Sequence, residues 1–75
     1  MGSIAPAYSW EKVMTAKEII IELKKNDWDL ASVRGSHYKF RKNGESLIVP
    51  YHKVVKKNVL ENIKKQVIIA EGKSE

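Results

Sequence analysis

The stretch Arg34-Gly35-Ser36-His37-Tyr38-Lys39-Phe40-Arg41 begins with turn-forming residues and then alternates polar or basic side chains with aromatic ones. Successive side chains of a β-strand point to opposite faces of the sheet. The alternation therefore predicts a strand with two different faces. Tyr38 and Phe40 form an aromatic face that can join a hydrophobic core. The opposite face suits the binding or cutting of a polyanion, because it places a titratable imidazole among cations: His37, Lys39 and Arg41.

The next residues predict that this strand continues into a hairpin. Asn43-Gly44 is a strong signal for a two-residue turn, because both turn positions need positive φ. Cross-strand partners lie on the same face of a sheet. The turn therefore predicts a register in which Lys42 pairs with Glu45, Phe40 with Leu47, Lys39 with Ile48, Tyr38 with Val49, and His37 lies near Pro50.

A helix is predicted from Thr15 to Lys25. Thr15 and Glu18 have the spacing of a capping box, and Met14 and Ile19 have that of a hydrophobic staple. Apolar residues recur at helical spacing along one face. Asn26 is predicted to end the helix in the left-handed conformation.

The remaining elements follow from weaker patterns. Residues 28–34 predict a first strand that needs a bulge or a late start. Asn58, with Glu61 three residues later, predicts the N-cap of a second helix. The β-branched run at residues 67–70 predicts the end of that helix, followed by a short extended piece or a partner contact.

Together these elements predict an α+β fold in the order helix, three strands, helix. Both helices are expected on one face of a three-stranded antiparallel sheet, which leaves the face with His37 open. Residues 1–13 are read as an N-terminal extension or tail, with Tyr8 and Trp10 available to cover an apolar patch. Residues 14–70 are read as the functional domain, and residues 71–75 as a polar tail. The predicted core is Ile19, Ile20, Leu23, Tyr38, Phe40, Leu47, Val49, Leu60 and Ile63.

Composition limits the possible functions of the 75-residue chain. A hydrophobic content of 43% is that of a folded domain, and no apolar run is long enough to span a bilayer. The absence of cysteine excludes disulfides and thiolate metal sites. With no signal peptide recognisable, we expect a cytoplasmic protein without a membrane partner. Two histidines and few clustered carboxylates make a metal site unexpected, so no cofactor is predicted.

The net charge of +5 is concentrated in one third of the chain. Residues 34–57 contain a single acid, Glu45, and seven basic residues. Such a local basic patch favours a polyanionic partner, RNA or DNA above others, although a generic solvated surface rich in lysine is the simpler interpretation. The basic residues are Arg34, Lys39, Arg41, Lys42, Lys53, Lys56 and Lys57.

Several short motifs resemble the HicA family of toxin–antitoxin systems. The similarity covers roughly residues 14–67 and weakens in the second helix. The family usually has glycine at the position of Asp27. The motifs that carry the resemblance are Met14-Thr15-Ala16-Lys17-Glu18, Trp28, Gly35-Ser36-His37 and Val49-Pro50-Tyr51-His52.

The resemblance implies a double-stranded-RNA-binding-domain-like fold and a small ribonuclease that cleaves mRNA. It also implies a HicB-like antitoxin that covers the active site, so that the toxin is a monomer alone or part of a hetero-oligomer with the antitoxin. The functional histidine of the family falls on His37.

The chemistry of RNA cleavage fits these residue types. RNA supplies its own nucleophile, the 2′-hydroxyl, so a ribonuclease needs a base, an acid and positive charge near the phosphate. A histidine with a pKa near 6.5 can fill either proton-transfer role at neutral pH. We therefore assign His37 as the catalytic residue. Phosphate-binding candidates are Arg34, Lys39 and Arg41, together with Lys56 and Lys57, which precede a helix N-terminus.

Ser36 and His52 are secondary candidates. His52 is either a second proton-transfer group or, as we favour, a residue that ends the third strand. Ser36 is a nucleophile in principle, but a turn residue by its position beside Gly35. Two other functions stay open: a non-catalytic RNA-binding module of the same fold, and a protein-interaction domain whose basic face meets an acidic partner.

Overall fold

A computed structural model of the chain describes residues 8–72. A helix, three antiparallel strands and a second helix follow one another, and the strands lie in the order β1-β2-β3. Both helices pack against one face of the sheet, which is the double-stranded-RNA-binding-domain-like arrangement expected from the sequence. The elements are α1 (Ala16–Lys25), β1 (Asp29–Arg34), β2 (His37–Lys42), β3 (Glu45–Pro50) and α2 (Lys57–Gly72).

The hairpin of β2 and β3 has the predicted register at all five pairs, from Lys42 opposite Glu45 to His37 opposite Pro50. Asn43 and Gly44 both have positive φ, at 52° and 80°. This is the conformation that a two-residue turn between twisted strands requires. The local sequence thus determines which side chains of the hairpin share a face.

The first strand begins at Asp29, one residue later than predicted, and its register shifts between Leu30 and Ser32. Leu30 pairs with Phe40 and Val33 with Tyr38, so both lie on the helix side of the sheet. The predicted bulge is therefore present. It places residues 30 and 33 on one face, whereas a regular strand would place them on opposite faces.

The start of α1 is as predicted, but its end differs. Thr15 and Glu18 form a reciprocal capping box, with hydrogen bonds of 3.1 Å and 2.9 Å. Asn26 is not left-handed (φ −110°), and the left-handed residue is instead Asp27, with φ of 70°. The prediction for Asn26 is therefore wrong by one position, because the chain reverses after an additional residue. A glycine would adopt this conformation at no steric cost.

Two predictions for α2 are wrong. The helix begins at Lys57 and not after an Asn58 cap, and the N–H of Leu60 donates to the carbonyl of Lys56. The run at residues 67–70 stays helical, and the helix continues to Gly72. Val67 and Ala70 are buried against the core, so tertiary packing outweighs the β-preference of this run.

The core lies between the sheet and the two helices. Seven of the nine predicted core residues are buried, and Ile20 and Tyr38 are half-buried at its margin. Trp28 and Val55 also enter the core, and a bridge between Met14 and Val55 joins the two chain segments that lead into the helices. The buried residues are Met14, Ala16, Ile19, Leu23, Trp28, Phe40, Leu47, Val49, Val55, Leu60, Ile63, Val67 and Ala70.

The described part of the N-terminal segment packs on the helices. Tyr8 and Trp10 are half-buried against the core, and their rings stack with centroids 5.3 Å apart. The backbone N–H of Ser9 donates to Glu22 of α1 at 2.9 Å. The Nζ of Lys64 in α2 lies 5.9 Å from the centroid of the Trp10 ring, within cation–π range. These aromatic residues cover an apolar patch, which is the role that the sequence left available to them.

A polar network ties this segment to the tip of the hairpin. Glu71, which the sequence assigned to a polar tail, lies within α2 and accepts hydrogen bonds from Lys42 and from the hydroxyl of Tyr8, both at 2.7 Å. The Nε1–H of Trp28 donates to the same hydroxyl at 2.9 Å. Burial, followed by the hydrogen bond to Glu71, raises the pKa of Tyr8 well above its usual value. The hydroxyl therefore stays protonated and can donate.

Glu71 is expected to stabilise the fold at neutral pH and to lose this contribution in acid. Burial acts to raise the pKa of Glu71, but the hydrogen bonds from Lys42 and Tyr8 outweigh it and leave the pKa below its usual value. A lowered folded-state pKa gives stability that is present above the unfolded pKa, about 4.3, and is lost as the pH falls through the folded-state value.

The test compares Glu71→Gln with the unchanged protein by urea unfolding. We expect a loss of about 2 kcal/mol at neutral pH, since hydrogen bonds to charged groups contribute about that much. The difference should shrink below about pH 4, where the wild-type carboxylate becomes neutral. Glu61→Gln is the control, because Glu61 is an exposed residue of the same helix that pairs with Lys64 at 3.5 Å. A pH-independent difference would contradict the assignment.

Candidate nucleic-acid interface

The face of the sheet that turns away from the helices, here called the outer face, gathers the predicted sheet residues. The ladders place Arg34, His37 and Pro50 in one row and Ser32, Lys39 and Ile48 in the next. A third row contains Asp29, Arg41 and Ser46. Lys39 and Arg41 thus share one surface with His37, as the strand alternation predicted, and Arg34 joins them from β1.

The outer face is open because both helices pack on the other side of the sheet. His37, Lys39 and Arg41 are exposed along β2, whereas Phe40 between them is fully buried. Ile48, the apolar residue that the register placed among the cations, is 51% exposed. A surface of this kind offers cationic groups for phosphates and a small apolar area for a base or a partner side chain.

The position of His37 is set by the turn before it. Gly35 has φ of 56°, which lets Arg34 and His37 face each other directly. The carbonyl of Ser36 accepts a hydrogen bond from the N–H of Tyr51 at 2.6 Å, which attaches the turn to the chain after β3. The ring centroids of Tyr51 and Tyr38 lie 5.0 Å apart, and the Tyr51 side chain is exposed. Backbone contacts therefore fix the main chain of His37 at the end of the sheet.

The other predicted site residues lie elsewhere. Lys56 and Lys57 are exposed at the start of α2, in the helix layer, and Lys57 borders a groove with Trp10 and Lys64. His52 lies two residues beyond Pro50, and its side chain is exposed. Its backbone donates to the Pro50 carbonyl and accepts from the N–H of Ala16. These contacts are those of a residue that connects the end of β3 to α1.

The structure adds two details about the charged residues of the sheet. Asp29 lies opposite Arg41, so the surface carries a carboxylate beside its cations. Lys42, counted within the basic stretch, points to the helix side and is bound to Glu71 and to the Asn26 carbonyl. The strand alternation already separates Lys42 from Lys39 and Arg41, but the position of Asp29 depends on the bulge in β1.

The titratable groups of the outer face permit proton transfer and phosphate binding. An exposed imidazole can accept or donate a proton near neutral pH, and guanidinium groups bind phosphate through two hydrogen bonds. Across residues 8–72, no three histidine, aspartate or glutamate side chains lie close enough together to hold a metal ion.

The fold and this surface define a class: a small α+β domain with a double-stranded-RNA-binding-domain-like fold and a basic, histidine-bearing sheet face. Residues 16–69, well over half of the chain, match the family described as the HicA toxin of bacterial toxin–antitoxin systems. The chain belongs to this toxin family.

No curated protein and no solved structure matches the chain at the significance level applied. Membership of a toxin–antitoxin family points to an antitoxin as partner. Within the described range, neither helix has the length and apolar character needed to cross a bilayer.

Proposed function

We propose that this toxin is an endoribonuclease that cleaves mRNA in the cytoplasm, with His37 transferring protons at the scissile phosphate. The observation that carries the proposal is the row of Arg34 and His37 next to Lys39 on the open outer face. A proton-transfer group lies there within a cationic surface, which is what cleavage of a phosphodiester requires.

The reaction uses the 2′-hydroxyl of the substrate as nucleophile. A base removes its proton, the 2′-oxygen forms a bond to phosphorus, and the bond from phosphorus to the 5′-oxygen breaks. The products are a 2′,3′-cyclic phosphate and a free 5′-hydroxyl, which receives a proton from an acid. His37 supplies one of these proton transfers, and water or a group of the RNA supplies the other. Lys39 and Arg41 offset the charge that develops on the phosphate oxygens.

An acidic antitoxin surface that covers the outer face would inhibit the toxin by occupying the same cations. Charge complementarity of this kind accelerates association and selects the partner. Lys56 and Lys57, at the start of α2, provide a second contact to the RNA backbone. They are not part of the reaction site.

The cationic part of the proposal is tested by RNA binding, with all proteins carrying His37→Ala so that the RNA remains intact. Lys39→Ala/Arg41→Ala removes two charges from the outer face. The matched control, Lys17→Ala/Lys24→Ala, removes two charges from exposed positions on α1. We expect the first pair to weaken binding roughly tenfold per side chain, because a charged hydrogen bond contributes about 1.5–3 kcal/mol.

The salt dependence gives a second readout of the same variants. The slope of log affinity against log salt should fall by about 1.4 for the outer-face pair, since each phosphate contact on a single strand contributes about 0.7. The α1 pair should change the affinity by no more than about twofold and should leave the slope unchanged. Equal losses for both pairs would show that only net charge matters and would reject the outer face as the RNA surface.

A further inference from the structure

The first strand is an uncovered edge of the sheet. β1 pairs with β2 on one side, and its other side is free within residues 8–72. All six of its residues are exposed, including Leu30 at 42% and Val33 at 46%. The helices pack chiefly over β3, so these two apolar side chains face the helix side of the sheet without being buried. The strand contains neither proline nor lysine, residues that commonly prevent pairing at an edge.

The sequence of β1, Asp-Leu-Ala-Ser-Val-Arg, is complementary to itself when it is read antiparallel. Asp29 then lies opposite Arg34, and Leu30 lies opposite Val33. Cross-strand pairs must share a face of the sheet. In a regular strand residues separated by three positions point to opposite faces, which would forbid this arrangement.

The bulge removes that obstacle. Leu30 and Val33 share the helix side, because they pair with Phe40 and Tyr38. Asp29 and Arg34 share the outer face, because they pair with Arg41 and His37. A bulge at an edge strand commonly disrupts pairing, but here it lies at the centre of the complementary stretch and restores the match on both faces.

The backbone groups follow the same pattern. Arg34 and His37 close a two-residue turn, so their N–H and C=O groups are directed at each other and those of Val33 point outward. Along β2, the backbone N–H and C=O groups of Lys39 point to β1, and those of Phe40 point to β3. Leu30 lies opposite Phe40, so its own backbone N–H and C=O groups point away from β2, to the free edge. The two residues that would exchange ladder hydrogen bonds with a further strand are therefore Leu30 and Val33.

We propose that two copies of this chain pair through antiparallel β1 strands, about a two-fold axis that passes between Ala31 and Ser32. The two-fold axis makes every contact occur twice. The interface therefore contains two ion pairs, between Asp29 and Arg34 of the partner subunit, and two apolar pairs, between Leu30 and Val33 of the partner subunit. The two sheets join into one sheet of six strands. Both outer faces lie on the same side, and the partner subunit's Asp29 lies beside Arg34 at the end of the sheet that holds His37.

This choice of occupant follows from charge. The strand carries one acid and one base at opposite ends. A second copy in antiparallel orientation matches both, whereas a partner with a uniformly acidic or basic strand would repel one of them.

A charge-exchange series tests the pairing by sedimentation velocity from about 10 μM to about 1 mM, the range expected for a small interface. All proteins are full-length and carry His37→Ala. The parent should pass from 8.6 kDa to twice that mass as its concentration rises. Asp29→Arg and Arg34→Asp each replace both ion pairs with like-charge pairs, so the dimer dissociation constant should rise at least about tenfold. The double variant, Asp29→Arg/Arg34→Asp, should return within about threefold of the parent.

The control is Lys39→Asp, which makes the same change of charge as Arg34→Asp on the same face but outside the predicted contacts; it should leave the dissociation constant unchanged. Circular dichroism verifies that each variant is folded. A parent that stays monomeric throughout the range overturns the proposal, as does a double variant as weak as the single ones. The measurement contains no RNA, so its result is independent of the proposed ribonuclease activity.

Discussion

Replacing His37 with alanine is expected to abolish growth arrest and RNA cleavage while the protein remains folded. General acid–base catalysis contributes about 10²–10⁴-fold to a rate, and losses of that size should appear in cleavage of a defined RNA. His37 is exposed on the outer face, so its removal should change the free energy of unfolding by no more than about 0.5 kcal/mol. Induced expression, cleavage by purified protein and circular dichroism measure these three quantities.

His52→Ala is the matched control, since it removes the other histidine of the chain from an exposed position beyond β3. We expect this variant to cleave RNA as the wild type does, because the contacts of His52 are made by its backbone. Cleavage that survives in His37→Ala would reject the catalytic assignment. If neither protein cuts RNA but both bind it, the non-catalytic binding module becomes the better description. Activity that persists in EDTA is a further expectation of a mechanism without a metal.

Removing the two aromatic rings of the N-terminal segment, by Tyr8→Ala/Trp10→Ala, is expected to destabilise the fold by about 2–4 kcal/mol. Full burial of a large apolar side chain contributes about 1.5–3 kcal/mol, and both rings are half-buried against the core. The variant also loses the hydrogen bonds that join Tyr8 to Glu71 and Trp28. For a domain of this size such a loss is a large part of the total stability.

Urea unfolding followed by circular dichroism measures this effect. Val13→Ala serves as the control, because Val13 belongs to the same segment and is 63% exposed; we expect a change within about 0.5 kcal/mol. Tyr8→Phe keeps the ring and removes the hydroxyl, so it separates packing from hydrogen bonding. If the double variant and Val13→Ala unfold at the same urea concentration, the segment does not contribute to stability.

The predictable part of the candidate site is the part that lies within one strand. Alternation along β2 places His37, Lys39 and Arg41 together, and the Asn43-Gly44 turn sets the register with β3. Arg34 joins them through a turn of two residues. Lys56 and Lys57 were grouped with these cations by sequence and charge, but the fold places them in the helix layer. Charge composition counts residues in a stretch of chain and carries no information about which layer they occupy.

The sequence by itself determined the local structure: the capping box of α1, the hairpin, its register and the two faces of β2. These features depend on contacts between residues close in the chain, on backbone conformation and on the period of the side chains. The tertiary structure decided the rest. It set the length of α2, the ion pair of Lys42 with Glu71 and the packing of Tyr8. These features depend on contacts between residues up to 63 positions apart in the chain. Their stability comes from burial and hydrogen bonds that exist only after the layers have assembled, so no local pattern could specify them.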